Sequence, residues 1–226
     1  MTRPTVASKT RSKNRQVRQK KQRLLSDFRT TAILEASRRV FAKKGFDAAL
    51  VDDIAAEAGI AKGTVYLYFR SKLDIYQAAL QEDMAALAKL KIERVAAAAG
   101  AYEKLRAYIA AAVEYCERRR DFFRIFLVES GKLVCSSMHS SKERRELVAG
   151  QITSLMELLE EAIAAGEIRC PDPDFAAWTI GYTVRGMIER RLLTPASSGN
   201  AATHDVDTLL DFLWKGLAPS SQGSGG

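Results

Sequence analysis

One glycine, set between two short segments of helical apolar spacing, constrains this chain more than any other residue. In "VDDIAAEAGIAKGTVYLYFRSKLDIYQAAL", residues 51–80, the pattern breaks at Gly59 and resumes at once. Glycine can leave a helix through a left-handed turn without a Cβ penalty. The spacing therefore predicts two short helices, about 52–58 and 62–69, joined by a tight turn. Ala55 is small where the two would cross, Ile60 can tuck in from the turn, and Val65 and Phe69, four apart, face the same core. That leaves Lys62, Gly63, Thr64, Tyr66, Leu67 and Tyr68 pointing outward.

Helix, tight glycine turn, helix is the helix-turn-helix layout. It has two readings: a plain helical hairpin inside an all-α core, or a surface that lies on DNA. In the second, the N-terminal residues of the second helix meet base edges in the major groove. Lys62 would donate to phosphate or guanine, and Thr64 would offer its hydroxyl or methyl group. Gly63 would allow close backbone approach, Tyr66 and Tyr68 would give hydroxyls to phosphates, and Lys72 would reach phosphate from the next helix. Periodicity alone does not choose between the readings.

The rest of the chain also reads as helix. Alanine, leucine, glutamate, lysine and arginine are the better helix formers, and they dominate here, with only five prolines in 226 residues. Before the turn, Phe28, Ala32, Ala36 and Val40 recur at helical spacing, with Gly45 as a stop. After it, Ser71 and Asp74 form a capping box for a long helix. Further helices are expected over 102–120, over the nearly all-apolar "DFFRIFLVESGKL", from a second capping box at Ser140 and Glu143, over 173–193 behind Asp172 and Pro173, and over 204–217.

Charge is uneven. Residues 1–26 carry nine Lys/Arg and no acid against a chain net of +8, so the remainder is nearly neutral. Residues 1–25 are expected to be a disordered basic arm suited to a polyanion, and 219–226 a flexible tail. No signal-peptide h-region follows the arm, and no run approaches a membrane span of roughly 18 apolar residues. Cys116, Cys135 and Cys170 lack a C-x-x-C pair, the usage of a reducing cytoplasm. Enzyme readings find no support. His139 and His204 stand apart from any H-E-x-x-H or acidic cluster, and no P-loop or G-x-G-x-x-G occurs. No catalytic residue, metal or cofactor is expected.

The string "DDIAAEAGIAKGTVYLYFRSKLDIY" resembles the N-terminal domain of the TetR/AcrR family of bacterial transcription regulators. The family pattern runs roughly D-I-A-x-x-A-G-V-S-x-G-T-x-Y-x-H/Y-F-x-S-K-x-x-L. Asp53, Ile54, Ala55, Ala58, Gly59, Gly63, Thr64, Tyr66, Tyr68, Phe69, Ser71 and Lys72 match it. Two hydroxyls are missing: Leu50 stands where Ser or Thr usually caps the second helix, a loss worth about 1 kcal/mol, and Ala61 replaces the serine of G-V-S. Asp52 and Asp53 offset part of the first loss through the helix dipole.

The resemblance implies an all-α protein of about nine helices. A helix-turn-helix domain over 26–72 would precede a larger helical effector-binding and dimerisation domain over 73–218. It implies a ligand-responsive, sequence-specific DNA-binding regulator in the cytoplasm, associated with the nucleoid. This would be a homodimeric repressor released from a palindromic operator by a small hydrophobic effector. The DNA contacts would be Lys62, Gly63, Thr64, Tyr66, Leu67, Tyr68 and Lys72. For the effector pocket, Tyr115, Phe122, Phe123, Phe126, Met156, Trp178 and Tyr182 are the large central apolar side chains. For the dimer interface, Phe175 and Ile188 on one helix and Val206, Leu209, Leu210, Leu213 and Leu217 on the last form apolar stripes. The alternatives are a non-specific architectural DNA binder driven by the arm, and a helical ligand-binding protein without operator recognition.

Overall fold

The computed structural model describes residues 6–124, 142–194 and 200–217, and among them every regular element is a helix. They are α1 (Val6–Ala48), α2 (Val51–Glu57), α3 (Lys62–Tyr66), α4 (Lys72–Ala96), α5 (Gly100–Arg118), α6 (Lys142–Ala164), α7 (Pro173–Leu193) and α8 (Asn200–Leu217). Residues 120–124 are helical as well. The chain divides into two compact units after Leu80, within α4. The sequence placed that boundary at 72/73. The second capping box begins at Ser140, outside the described residues.

Residues 6–25 differ from the expected disordered arm: they are the first turns of α1. Neither proline nor glycine interrupts the chain from Val6 to Lys44. Lysine, arginine and glutamine there are favourable helix residues, so the backbone continues into the helix that the apolar pattern marks from Phe28. Phe28 itself is exposed, while Ile33, Ala36, Val40 and Phe41 are buried. Gly45 breaks the helix with φ +77°, and one further turn runs to Ala48.

In the first unit, α1, α2 and α3 close over Ile33, Phe41, Ile54, Ala55 and Val65, with Ile75 and Tyr76 of α4. Phe41, Phe46 and Tyr76 form an aromatic triangle with centroids 5.2–5.6 Å apart. The buried Arg38 donates to the Ala79 carbonyl at 3.1 Å, tying α1 to the first turns of α4.

The second unit is built around α5, which packs on α6, α7 and α8. Its buried face carries Leu105, Tyr108, Ile109, Ala112 and Val113. Glu167, from the turn after α6, accepts the Ala101 N–H at 2.6 Å and so places a carboxylate at the positive end of α5. Asp172 caps α7 as expected, accepting the Phe175 N–H at 2.9 Å. The nearly buried Arg191 bridges Glu117 of α5 (2.9 Å) and Asp205 of α8 (2.5 Å), fixing the end of α7. At Gly181 a Cβ would lie 2.8 Å from Ile152 Cδ1, so a side chain there would displace the end of Ile152 where α6 meets α7.

Candidate nucleic-acid interface and ligand cleft

The turn between α2 and α3 has the expected geometry. Gly59 sits at φ +67°, a conformation other residues adopt at a cost of roughly 1–2 kcal/mol. Val65 is fully buried and anchors α3. α3 ends at Tyr66, shorter than the predicted 62–69, and Leu67 and Tyr68 continue as a turn. Lys62, Gly63, Tyr66 and Leu67 are exposed, Leu67 at 80 %, while Thr64 and Tyr68 are half-buried. Six of the seven expected DNA contacts thus share one short surface segment.

No hydroxyl caps α2 or α3, because Leu50 and Ala61 occupy the cap positions. Asp53 offsets the first loss, accepting the Leu50 N–H at 3.0 Å. Lys44 lies 2.7 Å from the same carboxylate. Lys62 Nζ rests 2.8 Å from Asp52 of α2. The hydrogen bond that Lys62 donates to Asp52 holds the ammonium above its ordinary pKa, so Lys62 stays charged. Contact with DNA means exchanging this exposed pair, itself worth little in water. Asp52, read in the sequence only as a helix-dipole residue, is thereby a partner of the first α3 side chain.

Lys72 is placed differently from the expectation. Its Nζ donates to the carbonyls of Phe46 (2.6 Å), Asp47 (3.0 Å) and Ala49 (2.9 Å) and lies 4.7 Å from the Phe46 ring centroid. An ammonium has three N–H donors, and all three are engaged. The break at Gly45 turns these carbonyls together, and the cation neutralises the negative end of α1. Lys72→Met will lower stability by about 2 kcal/mol, on the scale of hydrogen bonds to a charged group. Thermal melts check this. The salt dependence of DNA binding should keep its log–log slope, whereas a lost phosphate contact would reduce it by about 0.9.

A cleft of about 480 Å³ opens between α4, α5 and α6. Its walls include Ala88, Ile92 and Val95 of α4 and Leu158 of α6, with Lys104 and Glu161 paired at 3.1 Å. Lys91 also lines it and is only 8 % exposed. Its Nζ donates to Gln151 Oε1 at 2.6 Å and lies 3.9 Å from the Tyr108 ring centroid. Tyr108 in turn donates to the Gln151 carbonyl at 3.0 Å. Burial lowers the Lys91 ammonium to about 8 and pushes the neighbouring Cys116 thiol up to about 12. That thiol is therefore un-ionised and inert. The sequence hid Lys91 among the charges of "AKLKIERV", although its spacing to Leu87 and Val95 puts it on the inward stripe of α4.

A model of bacterial regulatory proteins, tetR family, matches residues 33–79. One of the tetracyclin repressor-like C-terminal domain matches residues 98–189. The fatty acid metabolism regulator protein of Bacillus subtilis (strain 168) is 30 % identical over 137 residues, which are 61 % of this chain and 69 % of that relative. The chain belongs to the tetR family. Among solved structures, the fatty acid degradation regulator FadR from Bacillus halodurans aligns with a TM-score of 0.73 at 25 % identity, covering 83 % of this chain and 95 % of that one. FadR from Bacillus subtilis in complex with stearoyl-CoA aligns at 0.70 and 26 % identity, covering 81 % and 96 %. As a tetR-family protein the chain is a DNA-binding transcription regulator and not an enzyme. None of its described helices is long and apolar enough to cross a membrane.

The other expected sites of this tetR-family chain fare unevenly. Tyr115, Phe122 and Phe123 pack on one another, and the Tyr115 hydroxyl donates to the buried Asp83 at 2.8 Å. Met156 packs against the core, and Trp178 stacks on an exposed Tyr182. None of these lines the α4–α5–α6 cleft. Phe126, His139 and Cys135 lie outside the described residues. Of the expected dimer residues, Val206 and Leu210 are buried within the subunit, and Leu209, Leu213 and Leu217 pack partly against the same core. This corrects the assignment: the α8 stripe faces α5, where Asp207 pairs with Arg106 at 2.8 Å and Trp214 meets Tyr102 edge-on. On α7 and α8 the exposed large apolar side chains are Phe175 (69 %), Tyr182, Leu193 and Phe212 (73 %), with Ile188 half-buried.

Proposed function

We propose that this protein is a homodimeric repressor that reads a palindromic operator with α3 and releases it when a hydrophobic small molecule binds the helical unit. The observation that carries the reading is the Gly59 turn, which holds Lys62, Gly63, Tyr66 and Leu67 exposed on the buried anchor of Val65. Base contact belongs to Lys62, Gly63, Thr64, Tyr66 and Leu67, and phosphate contact to Tyr68 and to the exposed Arg18, Lys20, Lys21 and Arg23 of α1. Phosphate contacts fix position and base contacts specify sequence.

Two subunits meet through α7 and α8, in this reading through the exposed Phe175, Tyr182, Leu193 and Phe212 and the half-buried Ile188. Four large apolar groups exposed on one pair of helices suit a partner surface better than solvent. A two-fold dimer sets half-sites about one helical turn, or a multiple of it, apart. The protein acts in the cytoplasm, at the nucleoid. A fatty acid-derived effector is favoured by the two FadR regulators, one of them solved with stearoyl-CoA.

The test is a titration of long-chain acyl-CoA into the protein–operator complex, followed by fluorescence anisotropy. Release at micromolar ligand is the expected result. An operator complex indifferent to acyl-CoA and to free fatty acids would refute the hydrophobic-effector reading.

A further inference from the structure

The cleft between α4, α5 and α6 contains a cation without a counter-charge. Among the described residues no carboxylate lies within ion-pair distance of Lys91, which instead meets the neutral Gln151 amide and the Tyr108 ring. Among the described residues, the titratable and charged groups around it place no anion against the ammonium. On α5, Cys116 and Tyr108 are held neutral by burial, and Lys104 is a cation already paired with Glu161. On α6, Glu157 and Glu161 are exposed at the rim. An ammonium withdrawn from water is costly unless paired. Here two of its three donors remain for a guest, and it lines an opening whose volume lies in the range of small-molecule sites.

We propose that Lys91 is an anion anchor: the α4–α5–α6 cleft takes an amphipathic small molecule whose carboxylate or phosphate pairs with the Lys91 ammonium, while its apolar portion lies along Ala88, Ile92, Val95 and Leu158. The assignment of this molecule as the effector rests on the regulator reading above. The head group is a monoanion or dianion of compact size, because the buried end of the cleft is bounded by the Tyr108 ring and Gln151. A neutral amide or ester would leave the cation uncompensated.

The test uses full-length protein and three probes, decanoate, decyl phosphate and methyl decanoate, with affinity measured by calorimetry and operator occupancy by anisotropy in parallel. The wild type should bind at least one anionic probe ten-fold or more tighter than the ester. Lys91→Met should abolish that preference and leave ester affinity unchanged. Anion affinity in the wild type should fall as pH rises from 8 to 10 and Lys91 loses its proton. Preference for decanoate identifies a free acid as the guest class, and preference for decyl phosphate a phosphorylated carrier. Equal affinity for charged and neutral probes, no binding of either anion, or an anion preference that survives Lys91→Met would overturn the anchor. A probe held through Lys91 that leaves the operator occupied would overturn the effector reading alone. Operator release unchanged in Lys91→Met would overturn the anchor alone.

Discussion

Replacing Leu210 by aspartate will unfold the subunit rather than separate two subunits. Leu210 is 0 % exposed and packs with Val206 into the core that α5 shares with α8. Removing a buried leucine side chain costs about 2–5 kcal/mol. A carboxylate left there without a partner adds several more. The total approaches the 5–15 kcal/mol that typically separates folded from unfolded domains. Circular dichroism should show loss of cooperative melting or a fall in Tm of more than 10 °C. Phe212→Asp, two residues on, is the contrast. Phe212 is exposed in the subunit, so this variant should keep its helicity and sediment as a monomer. A Leu210→Asp protein that melts like the wild type would show that α8 does not pack on α5 as described.

The second large effect runs the other way: Lys91→Met will stabilise the protein at neutral pH. Burial lowers the Lys91 pKa from 10.5 to about 8. A base whose folded pKa is depressed destabilises the fold below that pKa, where both states carry the proton. The penalty is relieved between pH 8 and 10.5, where the folded state has lost the proton and the unfolded state still holds it. At 1.36 kcal/mol per unit the penalty is about 3 kcal/mol. Methionine loses the Gln151 hydrogen bond and the Tyr108 contact, together worth about 1–2 kcal/mol, so the expected net gain is about 1–2 kcal/mol at pH 7. The Cys116 thiol titrates with the opposite sign. Its folded pKa is raised, so stability falls above about pH 9, where the unfolded thiol ionises. The stability difference between variant and wild type cancels that contribution and should shrink, or reverse, from pH 8 to 10.5. Denaturant melts at pH 7, 8.5 and 10 check it. A constant difference across this range would mean that Lys91 is not buried as a cation.

The helix-turn-helix was legible because its constraint is local. Only the spacing of Ile54, Ala55, Gly59 and Val65 was needed, and the structure places each as that spacing requires. Lys72 was misread because its three acceptors are carbonyls gathered by the break at Gly45, some 25 positions earlier. The basic segment was expected to be disordered from its charge, whereas its unbroken run of helix formers continues α1. The aromatic side chains were grouped by size and helical spacing, which identify buried faces but not which faces enclose a space. The cleft lies instead among alanine, isoleucine and charged residues, and its central side chain, Lys91, resembles a solvated lysine until α5 and α6 cover it.

Whether α3 reads sequence is decided most directly by selecting from randomised duplex DNA with the full-length protein, alongside a variant carrying Lys62→Ala, Thr64→Ala, Tyr66→Ala and Leu67→Ala. All four side chains are exposed or half-exposed, so the variant should fold normally. The wild type should enrich one palindrome, with half-sites about a helical turn or a multiple apart. The variant should bind weakly and enrich none. A wild type that enriches no sequence, or a variant that enriches the same palindrome, would contradict the assignment of sequence reading to α3.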